Sequence, residues 1–218
     1  MRVELDRRLE TLGTGSGAWT IDPAGLNADS VVYSFGIGRD ISFDLDLIER
    51  FGLTVHAFDP TPEALSWVRR RALPARLHVY EYGLGGADGE MEFTRSRRSG
   101  SAHYSPLRRY RSEAVRDETM RAPVRRLGSV MKTLGHDHVD LLKMDIEGGE
   151  YDVIEDLARA PCAIGQIALE FHHAYQTIPL ARTVEAVGRL RALGFLLIHI
   201  SPRTYEMTLL HRTFAERR

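Results

Sequence analysis

The sequence lacks the features that are typical of secreted and membrane-spanning proteins. Its single cysteine, Cys162, has no partner for an intramolecular disulfide, which fits a reducing compartment. No stretch approaches the roughly 20 apolar residues that a membrane-spanning helix needs. The first residues, Met1 to Asp6, carry charges and do not resemble a signal peptide. From these absences we expect a cytoplasmic protein that stays out of the membrane.

The sequence also lacks an excess of charge of either sign. Its formal net charge is −1, and its 29 basic residues include only two lysines, Lys132 and Lys143. A balanced charge indicates no electrostatic attraction to nucleic acid, so we expect no nucleic-acid partner. The chain of 218 residues, 43% of them hydrophobic, is long enough for one compact domain. We predict an N-terminal helix (Val3 to Leu12) and linker over residues 1–29 and a single domain over residues 30–218.

Beyond residue 29, apolar runs of strand length alternate with helical patterns. Such alternation predicts a doubly wound α/β fold, with a mostly parallel sheet covered by helices on both faces. The last two strands are separated by only five residues and must therefore pair as an antiparallel hairpin. A seven-stranded sheet of this kind resembles the Rossmann-like class I methyltransferase fold. The expected strands cover residues 30–35, 53–58, 77–82, 139–144, 164–171, 195–200 and 206–211.

Glycines and one acid follow the first two expected strands. Gly36 and Gly38 flank Ile37 in a glycine pair that lets a ligand lie against the backbone, although the third glycine of the dinucleotide fingerprint is missing. Asp59, followed by Pro60, comes about 20 residues later, where an acid can accept hydrogen bonds from ribose hydroxyls. After the third strand, Gly83 and Leu84 are expected beside a planar base. The pattern predicts a site for an adenosine or an NAD molecule, and the alternative for each position is an ordinary turn.

Acidic residues follow the fourth and fifth strands. Asp145, Glu147 and Glu150 come directly after a buried strand, and Glu170 and His172 lie at the end of the next one. Because the carboxyl ends of parallel strands share one edge, Asp145, Glu170 and His172 are expected to meet there. They suit a general base with an orienting partner, with His172 or Asp145 as the base and Glu170 orienting it. The same three residues suit a divalent metal, and a structural hydrogen-bonding cluster is the third alternative.

The segment from Leu142 to Tyr151 (LKMDIEGGEY), followed by Glu170-Phe171-His172, resembles the signature of the FkbM-type methyltransferase family. This resemblance covers residues 30–200 and implies S-adenosylmethionine as cofactor and O-methylation of a small molecule or sugar. It implies cofactor contacts at Gly36, Gly38 and Asp59, and an active-site position for Asp145 and Glu147. Family members commonly have an acid just before the glycines to bind the methionine amino group, where this chain has Ser34, and we consider Asp40 as its replacement.

Residues 95–126 contain ten arginines against three acids and show no regular period. We expect a lid or loop there that grips an anionic or sugar-bearing acceptor, with Tyr104 and Glu147 as substrate-binding residues. A solvated loop is the alternative. Two further functions stay open: a catalytically silent binding module of the same fold, and a nicotinamide-dependent oxidoreductase.

Overall fold

The computed structural model of the protein describes residues 1–95, 104–107 and 118–215, in which twelve strands and six α-helices alternate. The helices are α1 (Ser42–Phe51), α2 (Pro62–Val68), α3 (Leu127–Leu134), α4 (Glu150–Arg159), α5 (Leu180–Ala192) and α6 (Arg212–Ala215). The strands are β1 (Glu10–Leu12), β2 (Trp19–Ile21), β3 (Val31–Phe35), β4 (Thr54–Phe58), β5 (Leu77–Tyr80), β6 (Gly83–Leu84), β7 (Gly89–Arg95), β8 (Glu118–Arg125), β9 (Val139–Met144), β10 (Ile164–Glu170), β11 (Phe195–Ile200) and β12 (Glu206–His211).

Seven of these strands form the central sheet, in the order β11-β12-β10-β9-β3-β4-β5. Neighbouring strands from β10 to β5 are parallel, and β12 runs antiparallel to both β10 and β11. The predicted fold is therefore confirmed, including the C-terminal hairpin. The hairpin forms because the short connection after β11 leaves no room for a crossover helix.

The strand order reverses between β3 and β9. From β3 the chain winds outward through β4 and β5, and it then returns to lay β9 and β10 on the other side of β3. Connections that leave adjacent strands in opposite directions open a crevice at the carboxyl ends of those strands. This is where the site lies.

The sheet separates two hydrophobic cores. Successive side chains of β3 point to opposite faces, so that Tyr33 and Phe35 belong to one core and Val32 to the other. All six residues of β9 are buried, including Lys143. A strand buried on both faces is expected to be apolar throughout, so a lysine in β9 is the first sign of a special role.

Local signals set several helix boundaries. The Oγ1 of Thr61 accepts a hydrogen bond from the N–H of Ala64 at 3.4 Å and caps α2, as its place before Pro62 predicts. Gly52 ends α1 with φ +64°, a left-handed conformation that favours glycine. Among the described helices, none has the length and apolar composition to cross a membrane.

The predicted N-terminal helix over Val3 to Leu12 is wrong. The chain is extended there: the N–H of Glu4 donates to the carbonyl of Leu197 at 2.8 Å, and β1 pairs with β2 as an antiparallel ribbon. A short helix is marginal by itself. Backbone hydrogen bonds to the distant β11 are therefore sufficient to override the local preference.

The segment over residues 95–126 is more regular than its sequence indicates. Its last part forms β8, which pairs with β7 and with β6 in a small three-stranded sheet. The alternation of exposed and buried residues in β8 is hidden in the sequence by its arginines. The remainder of the expected lid lies outside the described residues, apart from 104–107.

Candidate active site

A cavity of about 560 Å³ opens at the carboxyl ends of β3, β4, β9 and β10. Every residue that the sequence predicted for the site lines this cavity. One side holds the predicted cofactor residues and the other the predicted catalytic and acceptor residues. The predicted residues that line it are Gly36, Ile37, Gly38, Asp40, Asp59, Pro60, Gly83, Leu84, Tyr104, Asp145, Glu147, Glu170 and His172.

The glycine loop after β3 joins the two sides of the cavity. Gly36 has φ +77°, and a Cβ on it would lie 1.7 Å from the carbonyl oxygen of Asp145. Only glycine fits, because the backbone after β9 lies directly against the loop. Gly38 has φ +55° and no atom within 4 Å of a Cβ position, so its open side is free for a ligand.

Asp59, at the end of β4, holds the glycine loop in place. Its Oδ2 accepts a hydrogen bond from the N–H of Gly38 at 2.9 Å, and its Oδ1 accepts from the N–H and hydroxyl of Thr61 at 2.8 and 2.6 Å. Burial raises the pKa of Asp59, and the hydrogen bonds from Thr61 and Gly38 oppose that rise. A carboxylate offers about four acceptor positions, so Asp59 has capacity left for a hydroxyl in the cavity.

The N-terminal segment forms a wall of the cavity, which sequence reasoning missed. Ser16, Gly17 and Trp19 line it. The segment is fixed to the start of α1 by the N–H of Gly13, which donates to Oδ2 of Asp46 at 2.7 Å. The only sequence signal was the glycine-rich composition of residues 13–17, which fits a tight turn as well as a linker.

The Asp40 carboxylate is hydrogen-bonded to the backbone. Its Oδ1 accepts a hydrogen bond from the N–H of Ser42 at 2.9 Å, at the start of α1. A Cβ on Gly17 would lie 2.4 Å from the Asp40 carboxyl carbon, so the N-terminal wall packs directly on this side chain. Asp40 still lines the cavity, and its role as a replacement acid stays a prediction.

Lys143 and Asp44 are two buried charged residues on the glycine-loop side that sequence reasoning did not assign. The Nζ of Lys143 donates to the carbonyls of Phe35 and Gly36 at 3.1 and 2.8 Å and thereby holds the loop. Asp44 is only 2% exposed. Burial raises its pKa to about 6, although the charge of Lys143 opposes the rise. In the sequence, Lys143 could have been noticed as a lysine within an apolar strand, and Asp44 as an acid in the first turn of a helix.

The opposite side of the cavity is built around His172. Its Nδ1 lies 3.1 Å from Oε1 of Glu150, while its Nε2 lies 3.7 Å from Oδ1 of Asp145 and 3.6 Å from Oε2 of Glu147. Burial alone would lower the pKa of His172, but the carboxylates, above all Glu150, outweigh burial and raise it to about 10. The imidazole is therefore protonated at neutral pH and balances the surrounding negative charge.

Glu150 organises the loop that carries Glu147. Its carboxylate is fully buried and accepts hydrogen bonds from the N–H groups of Ile146 and Gly148 at 2.9 and 3.0 Å. Glu147 has φ +57°, an uncommon conformation for a residue with a side chain. The Tyr175 hydroxyl donates to the Glu147 carboxylate. Sequence reasoning gave Glu150 no role in the site and missed Tyr175.

Glu170 differs from the other acids of the cavity in its titration. Burial and the negative charge of Asp145 raise the pKa of Glu170 to about 7. A carboxyl group that titrates near neutral pH can both accept and release a proton there, which is the property that a general base needs. His172 thus already holds a proton while Glu170 is able to take one, and the assignment of the base stays a prediction.

The candidate metal ligands in the structure differ from those that the sequence predicted. The structure brings ligand atoms of Asp145, Glu147 and His172 within 4.8 Å of one another, whereas the sequence predicted Glu170 in place of Glu147. Two oxygens and one nitrogen suit a divalent cation. The protonated imidazole already supplies a positive charge at this position, so metal binding stays a prediction.

Tyr104 lies at the outer wall of the cavity. It is 8% exposed and packs with Phe93, Ala122 and Val124 of the small sheet. The Arg95 guanidinium carbon lies 4.7 Å from the centre of its ring. The residue predicted to bind substrate is thus well ordered by packing, and its contact with an acceptor stays a prediction.

The comparison with known proteins agrees with this geometry. Residues 31–197 match the methyltransferase FkbM domain, a range that runs from β3 into β11 and includes every predicted site residue. This chain belongs to the FkbM methyltransferase domain family. The predicted family is confirmed.

The similarity between this FkbM domain and its curated relatives extends over only part of each chain. It is 32% identical over 210 residues to the AMB antimetabolite synthetase AmbE of Pseudomonas aeruginosa, covering 78% of this chain and 10% of that protein. It is 27% identical over 149 residues to the probable methyltransferase-like protein 24 of Homo sapiens, covering 67% of this chain and 33% of that protein. This chain thus spans a third or less of these curated relatives.

Among solved structures, the fibrillarin pre-rRNA processing protein of Methanococcus jannaschii is 13% identical to this FkbM domain. The similarity covers 85% of this chain and 67% of that one, with a TM-score of 0.49.

Proposed function

We propose that this FkbM domain binds S-adenosylmethionine and transfers its methyl group to a hydroxyl oxygen of a small molecule or glycan. The observation that carries the proposal is the single cavity, which joins a glycine loop and a buried acid on one side to a cluster of acids on the other. A methyl donor and an acceptor must meet in one space, and the cavity is of the size that small-molecule sites have.

The residues on the glycine-loop side fit the cofactor. Gly38 leaves backbone uncovered, and Asp59 retains acceptor capacity for one hydroxyl of a ribose. Leu84, at the end of β6, is buried at the cavity wall and offers an apolar surface to the adenine. The cofactor supplies a methyl group that its sulfonium has already activated.

Protein groups then have two tasks, which are to position the acceptor and to remove its proton. We assign proton removal to the Glu170 carboxylate, which would take the hydroxyl proton as the acceptor oxygen replaces the cofactor sulfur on the methyl carbon, with S-adenosylhomocysteine as the leaving group. Because Glu170 titrates near neutral pH, it carries enough basicity for this step. Asp145 keeps the pKa of Glu170 high, and His172 keeps Asp145 and Glu147 in place.

The same cavity supports the acceptor class. Tyr104 and Tyr175 offer aromatic surface, while the carboxylates of Glu147 and Asp145 offer acceptors to neutral hydroxyls. An acidic wall disfavours polyanions such as nucleic acid, since like charges repel. We therefore expect neutral or cationic hydroxyl compounds, sugars included, in preference to nucleic acid.

Calorimetric titration with S-adenosylhomocysteine, beside NAD, tests the cofactor. We expect saturable binding of S-adenosylhomocysteine alone. Binding of NAD alone would instead favour an oxidoreductase, and no binding of either by the folded protein would favour a silent module. Repeating the titration with Mg²⁺ tests the metal hypothesis, because a divalent ion at Asp145 and His172 would change the heat and affinity.

A screen with radiolabelled S-adenosylmethionine tests the reaction. Acceptors that differ only in carrying a hydroxyl, an amine or a carboxyl at one position separate O-methylation from transfer to other atoms. Label transfer to the hydroxyl compound alone is the expected result. Preferential labelling of the amine would contradict the assignment of oxygen as the acceptor atom.

A further inference from the structure

One buried carboxylate on the glycine-loop side of the cavity has no evident structural purpose. Asp44, the third residue of α1, is 2% exposed and lines the cavity. Its Oδ1 is buried without a hydrogen-bond partner among the described residues. A buried carboxylate oxygen without a partner is costly, so a protein keeps one where a ligand completes its interactions.

The nearby protein groups do not complete them. Lys143 lies near enough for its charge to lower the pKa of Asp44, but its Nζ is bonded to the carbonyls of Phe35 and Gly36. Within the described ranges no ion pair of 4.0 Å or less joins Lys143 to Asp44. The Ser34 hydroxyl also lies close enough to lower that pKa, yet its Oγ has no partner of hydrogen-bond geometry.

The missing partner has a definite chemistry. A carboxylate oxygen without a partner can accept a hydrogen bond from a donor, and the negative charge of the carboxylate favours a cationic donor. The same cavity is lined by Gly17, Trp19 and Gly36, and the Gly36 carbonyl already accepts a hydrogen bond from Lys143. A small cationic donor such as an alkylammonium group fits this end of the cavity, while a second anion would be repelled.

We propose that Asp44 binds the α-ammonium group of the methionine part of the cofactor. The inference rests on the proposed function, since it assumes that S-adenosylmethionine occupies the cavity. It assigns to a helix residue the role that an acid at the position of Ser34 commonly has in this family. The carboxylate has thus moved from the strand end to the first turn of α1, where the helix dipole favours a negative charge.

Removing the ammonium group from the ligand tests the proposal without changing the protein. The probes are S-adenosylhomocysteine, its analogue with hydrogen in place of the amino group, and 5′-methylthioadenosine, which lacks the whole amino-acid part. A charge-assisted hydrogen bond to a buried carboxylate predicts a loss of affinity of roughly 10- to 100-fold for the deaminated analogue. Equal affinity of the wild-type protein for S-adenosylhomocysteine and the deaminated analogue would overturn the proposal.

Removing the charge from the protein is the matching experiment. Asp44→Asn is expected to weaken S-adenosylhomocysteine by roughly 10- to 100-fold and to leave 5′-methylthioadenosine and the deaminated analogue within about twofold. Glu49→Gln removes the same charge from the exposed face of α1 and serves as the control. If Asp44→Asn binds S-adenosylhomocysteine as the wild type does, Asp44 does not hold the ammonium group.

Further measurements distinguish a failure of this inference from a loss of folding and from a failure of the proposed function. Because the Asp44 carboxylate is buried with an open oxygen, we expect Asp44→Asn to melt at or above the wild-type temperature without ligand, and Asp44→Ser is the second variant if the amide does not fit. Wild-type protein that binds 5′-methylthioadenosine but shows no preference for the amino acid part refutes this inference alone. Wild-type protein that binds none of the three ligands refutes the proposed function as well.

Discussion

The two sides of the cavity place different cations among their buried carboxylates. Each side buries carboxylates, and each places one buried cation among them: Lys143 near Asp44 and Asp59, and His172 between Glu150 and Asp145. Lys143 holds the backbone of the glycine loop through its hydrogen bonds. His172 instead contacts carboxylates directly. The first cation shapes a binding surface, and the second holds charged side chains beside the place where a proton must move.

The difference shows how the neighbours of a charge determine its function. On the glycine-loop side the Lys143 ammonium group is bonded to backbone carbonyls, and burial raises the pKa of the nearby Asp44 carboxyl to about 6. On the opposite side the charges depend on pH, since Glu170 titrates at about 7. We therefore expect changes on the glycine-loop side to alter binding and changes on the His172 side to alter turnover and pH dependence.

The largest expected effect comes from removing the proposed base. Glu170→Gln keeps the shape of the side chain but cannot take a proton, so turnover should fall by roughly 100- to 10,000-fold. Affinity for S-adenosylhomocysteine should stay within about threefold, since the residue lies on the other side of the cavity. Steady-state kinetics with calorimetry measure both. Glu185→Gln, on the exposed face of α5, is the control, and unchanged turnover in Glu170→Gln would remove the assignment.

A smaller effect on stability is expected from the buried imidazolium. A histidine with a folded-state pKa of about 10 and an ordinary value of 6.5 binds its proton more tightly when folded. Its contribution is complete below pH 6.5 and is lost as the pH rises towards 10. Urea unfolding should therefore show a free energy that declines by on the order of 3 kcal/mol across this range.

The variant His172→Gln checks that the decline belongs to this residue. It should be less stable than the wild type at pH 7 and should lack the decline between pH 7 and 10. A decline of the same size in both proteins would assign it to other groups.

The pH dependence of the reaction is expected to differ between the two sides of the cavity. If Glu170 is the base, kcat/KM should rise by about tenfold per pH unit below 7 and level off above it, because only the ionised carboxylate accepts a proton. Binding of S-adenosylhomocysteine should stay nearly constant above about pH 7 and weaken below about pH 6, as the Asp44 carboxyl with its pKa of about 6 becomes protonated. A flat kcat/KM profile between pH 5.5 and 8 would contradict the proposed role.

The smallest expected effect is on the cofactor side. Asp59→Asn retains one acceptor oxygen and loses the charge, so affinity for S-adenosylhomocysteine should fall by roughly tenfold while turnover at saturation changes little. Calorimetry and saturation kinetics check the two values. A large loss of turnover with unchanged affinity would place Asp59 with the His172 side and would break the comparison.

Much of the fold could be predicted from local patterns. The apolar runs of β3, β4 and β9 and the turn residues after them are local, so their order and type follow from the sequence. Sequence reasoning failed at Glu10–Leu12, where a helical pattern became a strand paired with Trp19–Ile21. It also failed in β8, whose arginines masked a strand that only its pairing with β7 reveals. Both failures lie where tertiary pairing overrides local preference.

By itself the sequence determined which residues come to the cavity, because residues at the carboxyl ends of parallel strands must share one edge of the sheet. The tertiary structure alone decided what those residues do there. Lys143 reaches carbonyls 107 and 108 positions away, and His172 takes its charge from Glu150, 22 positions away. The protonation of a buried group depends on every charge around it in space. Spacing along the chain therefore identified the site, and only the folded arrangement distinguished the protonated His172 from Glu170, whose pKa lies near 7.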